Sequence, residues 1–310
     1  TAVRTRATRD RAPQQRVGQA GSFMKSSRGV GFVGLALGLL GIGLSAVASA
    51  APPATVQKPA NPEVRSSAFY VLDEADSKVL AARREDVAAP IASISKLMTA
   101  LVVLEADQPL DEMLTVTSED VRGTAGSGSR LAPGAKLSRA DMLHLALMSS
   151  ENRAAHVLCR SYPNGLAACV KAMNAKAAAL GMKTARFVEP TGLSSGNVAS
   201  ARDLAKLVLA AAENPTIREY STDAEHSVYV NRQRLDFRNT NILVDRPDWQ
   251  VNVQKTGYIA EAGRCLVMQT VIDSRQVVIV LLNSWGTLTR IADAKRIRAW
   301  IESQHAAAAI

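Results

Sequence analysis

The chain has 310 residues, of which 47% are hydrophobic, 21% charged and 4% aromatic. This composition excludes a disordered, collagen-like or disulfide-dense chain and is typical of one large folded domain or two. The net charge of +9 is concentrated at the N-terminus, where residues 1–50 hold seven basic residues and one acidic residue. The rest of the chain is close to neutral, which argues against a nucleic-acid partner.

The N-terminal segment has the organisation of an export signal. From Met24 the sequence runs through a short basic stretch, then an uncharged, mostly apolar stretch with six glycines, and then Ala48-Ser49-Ala50. This order predicts a secretory signal peptide over residues 24–50, cleaved after Ala50, and a periplasmic location. Residues 1–23 are then an upstream extension, and residues 51–65, rich in Pro and Ala, are a linker. The alternative is an uncleaved membrane anchor, which the glycines disfavour because they weaken a spanning helix.

Beyond the linker, the predicted elements change from strands to helices and back to strands. Apolar runs bounded by turn residues predict strands over Ser67–Asp73, Lys78–Ala82, Ser227–Val230, Val251–Lys255, Arg264–Asp273 and Gln276–Leu282. Helical patterns cover Ser93–Ala106, Ser138–Met148, Asn152–Arg160, Leu166–Leu180, Ser200–Ala212 and Thr287–Ser303. Strands at both ends with helices between them predict an α/β protein of the α+β type. We expect one domain over residues 66–310, whose antiparallel sheet is interrupted by a helical insertion over about residues 107–220.

Several patterns that resemble functional motifs are better explained by packing or by loops. None of the four histidines belongs to a His-Glu-x-x-His pair, and we assign none of them to catalysis or to a metal. Residues 192–196 match Gly-x-Ser-x-Gly, but no strand leads directly into a helix there. The Gly-rich segment 123–134 lacks the Gly-Lys-Ser/Thr ending of a phosphate-binding loop, and we interpret it as a mobile loop over a site.

The three cysteines do not form a metal-binding pattern. Cys159 and Cys169 lie ten residues apart around a turn. They are either a disulfide, formed in an oxidising compartment, or two buried thiols, and the sequence leaves both open. Cys265 lies in an apolar strand pattern and is predicted to be an inert core thiol.

A serine and a lysine at the start of a predicted helix can supply nucleophilic chemistry. Ser93 and Lys96 are three residues apart, so both side chains lie on one face of the helix. A buried lysine has a lowered pKa and can accept the serine proton, as a histidine base would. One such pair is weak evidence, because Ser-x-x-Lys occurs by chance and a second copy, Ser22 to Lys25, falls at the signal peptide.

Two further motifs follow in order along the chain. Lys255-Thr256-Gly257 lies on a predicted strand, where lysine and threonine can hold a carboxylate and glycine permits close approach of a backbone. Two Ser-x-Asn tripeptides lie between, Ser150-Glu151-Asn152 and Ser195-Gly196-Asn197. We favour the first, because it occupies a short break between two predicted helices, whereas the second has the features of an ordinary loop.

The ordered set Ser-x-x-Lys, Ser-x-Asn and Lys-Thr-Gly resembles the signature of penicillin-binding proteins and serine β-lactamases. The segments PIASISKLMTA (90–100), SRLAPG (129–134), LMSSENRAA (147–155), FVEPTGLS (187–194) and KTGYIAEAGRCLVM (255–268) carry the likeness further. They resemble low-molecular-mass D-Ala-D-Ala peptidases, in particular the penicillin-binding protein 7 type D-alanyl-D-alanine endopeptidases. The likeness covers about residues 66–304. It implies the DD-peptidase/β-lactamase-like fold, a five-stranded antiparallel sheet flanked by helices.

The resemblance also implies roles for the motif residues. Ser93 would be the nucleophile and Lys96 its general base, and Ser150 would relay a proton to the leaving amine. Asn152, Lys255, Thr256 and Gly257 would bind substrate, and the backbone N–H groups of Ser93 and Tyr258 would form the oxyanion hole. No metal or cofactor is implied. The implied partners are cross-linked stem peptides of peptidoglycan and β-lactam antibiotics, with at most loose membrane association.

Three other functions compete with a D,D-endopeptidase. D-Ala-D-Ala carboxypeptidases of this kind usually have Ser-Gly-Asn and a second, β-rich domain, whereas this chain has Ser-Glu-Asn and 53 residues after Gly257. A β-lactamase would give Glu189-Pro190 a catalytic role, but its context matches the peptidases and predicts a structural one. A non-catalytic peptidoglycan-binding protein would not need all of Ser93, Lys96 and Lys255.

Overall fold

The computed structural model describes residues 61–308, with side chains described to residue 304. The predicted upstream extension, the signal peptide and most of the linker lie outside the described residues. In the described part, the strands are β1 (Ala68–Asp73), β2 (Lys78–Arg83), β3 (Ala89–Pro90), β4 (Met113–Thr115), β5 (Lys136–Ser138), β6 (Val198–Ala199), β7 (Glu225–Val230), β8 (Gln233–Arg238), β9 (Gln250–Ile259), β10 (Gly263–Ile272) and β11 (Arg275–Ser284). The helices are a 3-10 turn (Ala92–Ile94), α1 (Ser95–Glu105), α2 (Ser118–Gly123), α3 (Arg139–Met148), α4 (Asn152–Arg160), α5 (Gly165–Ala179), α6 (Ala201–Glu213), α7 (Pro215–Thr222) and α8 (Thr289–Ala308). None of the described helices is long and apolar enough to cross a membrane.

The main sheet has five antiparallel strands in the order β2-β1-β11-β10-β9. Its first two strands and its last three are separated in sequence by the helices, which confirms the predicted fold class. Strand β9, which carries Lys255, is at the edge of the sheet.

Side chains that alternate along the central strands face two different cores, as the period of two requires. On one face, Val278, Val280 and Leu282 of β11 pack into the larger core with the helices of the insertion. On the other face, Ile279 and Leu281 pack against α8. Ile291, Ala294, Ile297 and Ile301 form the apolar stripe of α8.

Helix α1 lies at the centre of the larger core. Its residues from Ser95 to Val103 are all buried, including Lys96. A helix that is buried on all sides cannot shift without disturbing its neighbours on every side. The first residues of α1 are therefore a rigid support for a reactive side chain.

The three cysteines form one disulfide and one free thiol. Cys159 of α4 and Cys169 of α5 form a disulfide, with their Cα atoms 5.3 Å apart. The question that the sequence left open is thus answered for these two cysteines. Cys265 is buried and free, as predicted, and burial raises the pKa of its thiol to about 11.

Candidate active site

The sequence predicted that the α-helix begins at Ser93. In the structure, Ser93 lies in the 3-10 turn that precedes the helix, and α1 begins at Ser95. The preceding residue, Ala92, has a left-handed backbone with φ of 49°, and this turns the chain sharply before the helix. The hydroxyl of Ser95 donates to the carbonyl of Ala92 at 2.9 Å and holds the turn. Ser93 remains partly exposed, whereas Ser95 and Lys96 are fully buried.

The amine of Lys96 is surrounded by three oxygen atoms. Its Nζ lies 2.9 Å from Ser93 Oγ, 2.7 Å from Asn152 Oδ1 and 2.5 Å from the Thr191 carbonyl oxygen. The amide and carbonyl oxygens accept only, so they take two N–H bonds of a neutral amine. The remaining lone pair then faces the Ser93 hydroxyl, which can donate its proton.

The environment of Lys96 favours this neutral form. Burial lowers the pKa of Lys96 to about 7, while the negative charges of Glu189 and Glu151 partly oppose that shift. A lysine with this pKa is substantially unprotonated near neutral pH. It can therefore act as a general base toward Ser93.

The Thr191 carbonyl is a partner of Lys96 that the motif analysis did not identify. The loop that carries it is closed by the Glu189 carboxylate, which accepts from Thr191 N, Thr191 Oγ1 and Gly192 N, each at 2.6 Å. Gly192 has φ of +81°, and a Cβ there would lie 1.9 Å from the Ala92 carbonyl oxygen, so only glycine fits. The Glu189 carboxylate is hydrogen-bonded to its own loop, which is the structural role predicted for this residue.

Asn197 ties the same loop to the nucleophile segment. Its Nδ2 donates to Ser95 Oγ at 2.9 Å, and its Oδ1 accepts from Val188 N at 2.8 Å. The Ser195-Gly196-Asn197 tripeptide thus supports the loop and does not contact Lys96. Asn152, in the tripeptide that we favoured, makes that contact.

Ser150 lies in the turn between α3 and α4. It has a left-handed backbone with φ of 62°, and Glu151 caps α4 by accepting from Arg153 N at 3.1 Å. The turn is linked to β9 through Thr240, which donates its N–H to the Met148 carbonyl at 3.1 Å. The hydroxyls of Thr240 and Thr256 are hydrogen-bonded at 2.6 Å. Thr240, which no pattern identified, therefore joins the Ser150 turn to the Lys-Thr-Gly strand.

Strand β9 approaches the nucleophile segment closely. An ideal Cβ at Gly257 would lie 3.0 Å from the Ile91 carbonyl oxygen and 3.1 Å from Ser93 N. This contact explains the requirement for glycine in the third motif. Because β9 is an edge strand, alternate N–H groups point away from β10. Tyr258 follows on β9, with its side chain 57% exposed and Arg264 stacked 4.6 Å from its ring centroid.

Two basic side chains, Lys255 of β9 and Arg290 of α8, are buried near the third motif. Lys255 is fully buried, and burial together with the charges of Lys96 and Arg290 lowers its pKa well below the usual value. Its Nζ donates to the Thr256 carbonyl at 2.9 Å. Arg290 of α8 donates to the Gly257 carbonyl at 3.4 Å and is a cation that the motifs did not identify. The Lys255 amine and the Arg290 guanidinium are hydrogen-bond donors that a substrate carboxylate could accept from.

Three of the four histidines contact side chains other than those around Lys96. His156 pairs with Asp120 at 2.8 Å, His226 with Asp141 at 3.0 Å, and His144 stacks on Tyr220. His305 lies outside the residues whose side chains are described. Residues 61–304 contain no group of three or more His, Cys, Asp or Glu that could hold a metal ion.

The fold and the site together define a serine-type D-Ala-D-Ala peptidase with the penicillin-binding-protein fold. A family model described as D-alanyl-D-alanine carboxypeptidase, Peptidase_S11, matches residues 55–286, and the chain belongs to this family.

Named relatives and solved structures support the same family and fold. The chain is 47% identical to a D-alanyl-D-alanine endopeptidase of Pseudomonas aeruginosa, over 85% of this chain and 86% of that protein. It is 48% identical to a D-alanyl-D-alanine endopeptidase of Escherichia coli, over 83% of each chain. A mutant of the Streptomyces K15 DD-transpeptidase aligns with a TM-score of 0.71 and 26% identity, over 77% of this chain and 98% of that chain. The predicted family and fold are therefore confirmed.

Proposed function

We propose that this protein is a periplasmic serine D,D-endopeptidase that hydrolyses D-Ala–meso-diaminopimelate cross-links in peptidoglycan. The observation that carries the proposal is the buried Lys96 amine 2.9 Å from Ser93 Oγ, with a pKa of about 7. This geometry supplies a nucleophile and its base with no further cofactor.

Acylation begins when neutral Lys96 accepts the proton of Ser93. The oxygen attacks the carbonyl carbon of D-Ala, and a tetrahedral intermediate forms. The N–H groups of Ser93 and Tyr258 stabilise its oxyanion, which is where charge develops. The close contact of Gly257 with Ser93 N supports this assignment, because it brings the two donor segments together.

The leaving amine must then receive a proton. We assign this transfer to Ser150. It lies two residues before Asn152, which accepts a hydrogen bond from Lys96. Asn152 contacts the substrate amide in this scheme, and Lys255 and Thr256 bind the carboxylate of the leaving residue. Water subsequently hydrolyses the Ser93 ester, with Lys96 again taking a proton.

β-Lactams are expected to acylate Ser93 because their strained amide mimics the D-Ala-D-Ala bond. The resulting ester keeps the leaving amine attached in the ring-opened product and is expected to hydrolyse slowly. A fluorescent penicillin should therefore label the wild-type protein covalently, and Ser93→Ala should fold but remain unlabelled. Labelling of Ser93→Ala would remove Ser93 from the role of nucleophile, and an unlabelled wild type would favour a non-catalytic peptidoglycan-binding protein.

Location in the periplasm is proposed from the signal-like segment over residues 24–50. The disulfide of Cys159 and Cys169 supports it, since such bonds persist in oxidising compartments. Cell fractionation followed by intact-mass measurement tests both the location and the cleavage site. We expect a mature chain that begins at Ala51 in the periplasmic fraction.

The choice of endopeptidase over carboxypeptidase is supported by the names of the Pseudomonas and Escherichia relatives and by Glu151 in the middle motif. The test is to incubate wild type and Ser93→Ala with a cross-linked muropeptide dimer and with a monomeric pentapeptide. Conversion of dimer to monomers by the wild type alone is the expected result. Release of D-Ala from the pentapeptide with the dimer intact would instead identify a carboxypeptidase.

A further inference from the structure

A cavity of about 430 Å³ opens beside the turn that carries Ser150. Three segments form its walls: Gly128–Arg130 from the loop after α2, Ser149 and Glu151 from the α3–α4 turn, and Phe237 with Arg238 at the end of β8. Ser149 and Glu151 flank Ser150 in sequence, so the cavity adjoins the catalytic cluster. The mechanism above does not use it.

One wall of the cavity presents a carboxylate. Glu151 is only 7% exposed, and burial raises the pKa of its carboxyl despite a hydrogen bond from the Ser129 hydroxyl. The salt bridges between the described residues do not include Glu151. The Glu151 carboxylate interacts electrostatically with Lys96 and Arg153, but no cation of the described residues is in direct contact with it. A cationic ligand in contact with Glu151 would supply an opposite charge, which favours the ionised carboxylate.

Two arginines also line the cavity. Arg130 is fixed, because it stacks 3.8 Å from the centroid of the Phe237 ring and donates to the Asp236 carbonyl at 2.7 Å. Arg238 is exposed at the end of β8. It is opposite Glu225 in the strand register, yet residues 61–304 provide no salt bridge to it. The lining of the cavity therefore combines one carboxylate with two guanidinium groups.

We propose that this cavity binds the head group of an α-amino acid, which carries an ammonium and a carboxylate on one carbon. Glu151 receives the ammonium, and Arg238, with Arg130 beside it, receives the carboxylate. The inference rests on the proposed function, because the diaminopimelate that precedes the cleaved D-Ala has such a head group at the end of its side chain. Glu151 is then a residue that determines substrate specificity.

Glu151 also has two structural effects that any test must separate from binding. It caps α4, and its negative charge raises the pKa of Lys96. Both effects act on every substrate equally. A head-group site, in contrast, predicts an effect that depends on the chemistry of the substrate.

The experiment compares three muropeptide dimers. The first has the free head group, the second has its amine acetylated, and the third has its carboxylate amidated. We expect wild-type kcat/KM to fall about 10- to 100-fold for each capped dimer, the range of a lost charge-assisted hydrogen bond. Glu151→Gln should lose discrimination against the acetylated dimer, and Arg238→Gln should lose discrimination against the amidated one. Arg232→Gln, in the turn of the same hairpin and outside the cavity, should keep both.

The outcomes separate this inference from the proposed function. Equal cleavage of all three dimers by the wild type would overturn the inference and leave the endopeptidase intact. Cleavage of none of them would overturn the endopeptidase, and the inference with it. A Glu151→Gln variant that slows all three dimers by one factor would reduce Glu151 to its structural effects. Should that variant fail to fold, exposed Arg238 and the amidated dimer decide the question.

Discussion

At the scale of single residues, the chemistry of the site depends on where one lysine is placed. Lys96 is buried, and two of the three oxygen atoms around its amine, Asn152 Oδ1 and the Thr191 carbonyl oxygen, can only accept hydrogen bonds. An exposed lysine would keep its proton at neutral pH and could not activate Ser93. Burial converts an ordinary cation into a base.

This placement predicts the pH dependence of acylation. Because the base must be neutral and the pKa of Lys96 is about 7, the rate of acylation by a β-lactam should rise about tenfold per pH unit below 7 and level off above it. Stopped-flow measurement with a fluorescent penicillin checks the profile. A rate that is flat between about pH 5.5 and 8.5 would contradict the assignment of Lys96.

A companion variant tests the cause of the shift. The negative charge of Glu151 raises the pKa of Lys96, so Glu151→Gln should move the midpoint of the profile to lower pH. An unchanged midpoint would mean that this carboxylate does not influence the base.

The structure brings together three residues that the sequence singled out, whereas the sequence did not indicate the groups that support them. Ser93, Lys96 and Asn152 could be identified because their residue types and order are specific to one chemistry. The Thr191 carbonyl could not, since a main-chain oxygen leaves no signature in a sequence. Thr240 and Arg290 were also missed, because each reaches the site through tertiary contacts that no local pattern encodes.

At the scale of elements, the site depends on the distance between an edge strand and the start of a helix. Gly257 is the contact point, and any side chain there would meet Ile91 and Ser93. Strand β9 is longer than its apolar pattern predicted, because it continues through Lys-Thr-Gly to Ile259.

Gly257→Ala tests this contact. The added methyl group should push β9 away from Ser93, lowering the acylation rate about 10- to 100-fold, since misplacement of about 1 Å is costly for catalysis. Overpacking should cost only about 1–3 kcal/mol of folding free energy. Acylation kinetics and thermal unfolding measured on the same sample check both effects, and wild-type kinetics would refute the close approach.

The disulfide between α4 and α5 predicts a second element-scale effect. Its two cysteines are ten residues apart, and closing a loop of this length stabilises a protein by about 3 kcal/mol in the chain-entropy model. The double variant Cys159→Ala/Cys169→Ala should lose about this much in urea unfolding, and reductant should have no further effect on it. Unfolding of the wild type that does not respond to reductant would argue against the bond.

Elements that the sequence missed are those held by their neighbours. Helix α7 contains β-branched residues and hydroxyl side chains of low helix propensity, but Asn214 caps it and Gln254 of β9 donates to its Ser221 carbonyl at 2.7 Å. Strand β8 was missed because its alternation is mostly polar; it pairs with β7 in a small hairpin. The central strands and α1 were predicted because burial gives them continuous apolar runs.

At the scale of the whole molecule, the beginning of the described domain is fastened to its last helix. Asp293 of α8 is fully buried and accepts from Arg65 N at 3.0 Å, Ser66 N at 2.7 Å and Ser66 Oγ at 2.6 Å. These bonds connect parts of the chain more than 200 residues apart in sequence. They hold the segment that leads into β1 against α8.

Removal of this carboxylate should destabilise the whole fold. Asp293→Ala removes the acceptor of three donors, two of which are buried on Ser66, and it also removes the ion-pair partner of Arg296. We expect the free energy of unfolding to fall by about 3–5 kcal/mol. Asp248→Ala, which removes an exposed ion-pairing group, is the matched control and should cost about 0–1 kcal/mol. If the two variants lost the same free energy of unfolding in urea, the buried hydrogen bonds of Asp293 would contribute no more to stability than an exposed ion pair.

The left-handed backbones of Ala92 and Ser150 have a consequence for the response to heat. Each costs about 1–3 kcal/mol, which the surrounding packing must supply. Ala92 is packed against the buried start of α1, whereas Ser150 lies in a partly exposed turn between two helices. On warming, the Ser150 turn should therefore relax first, while the five-stranded sheet is still intact. A brief heat shock would then silence the enzyme without removing it, and cooling would restore it with no new synthesis.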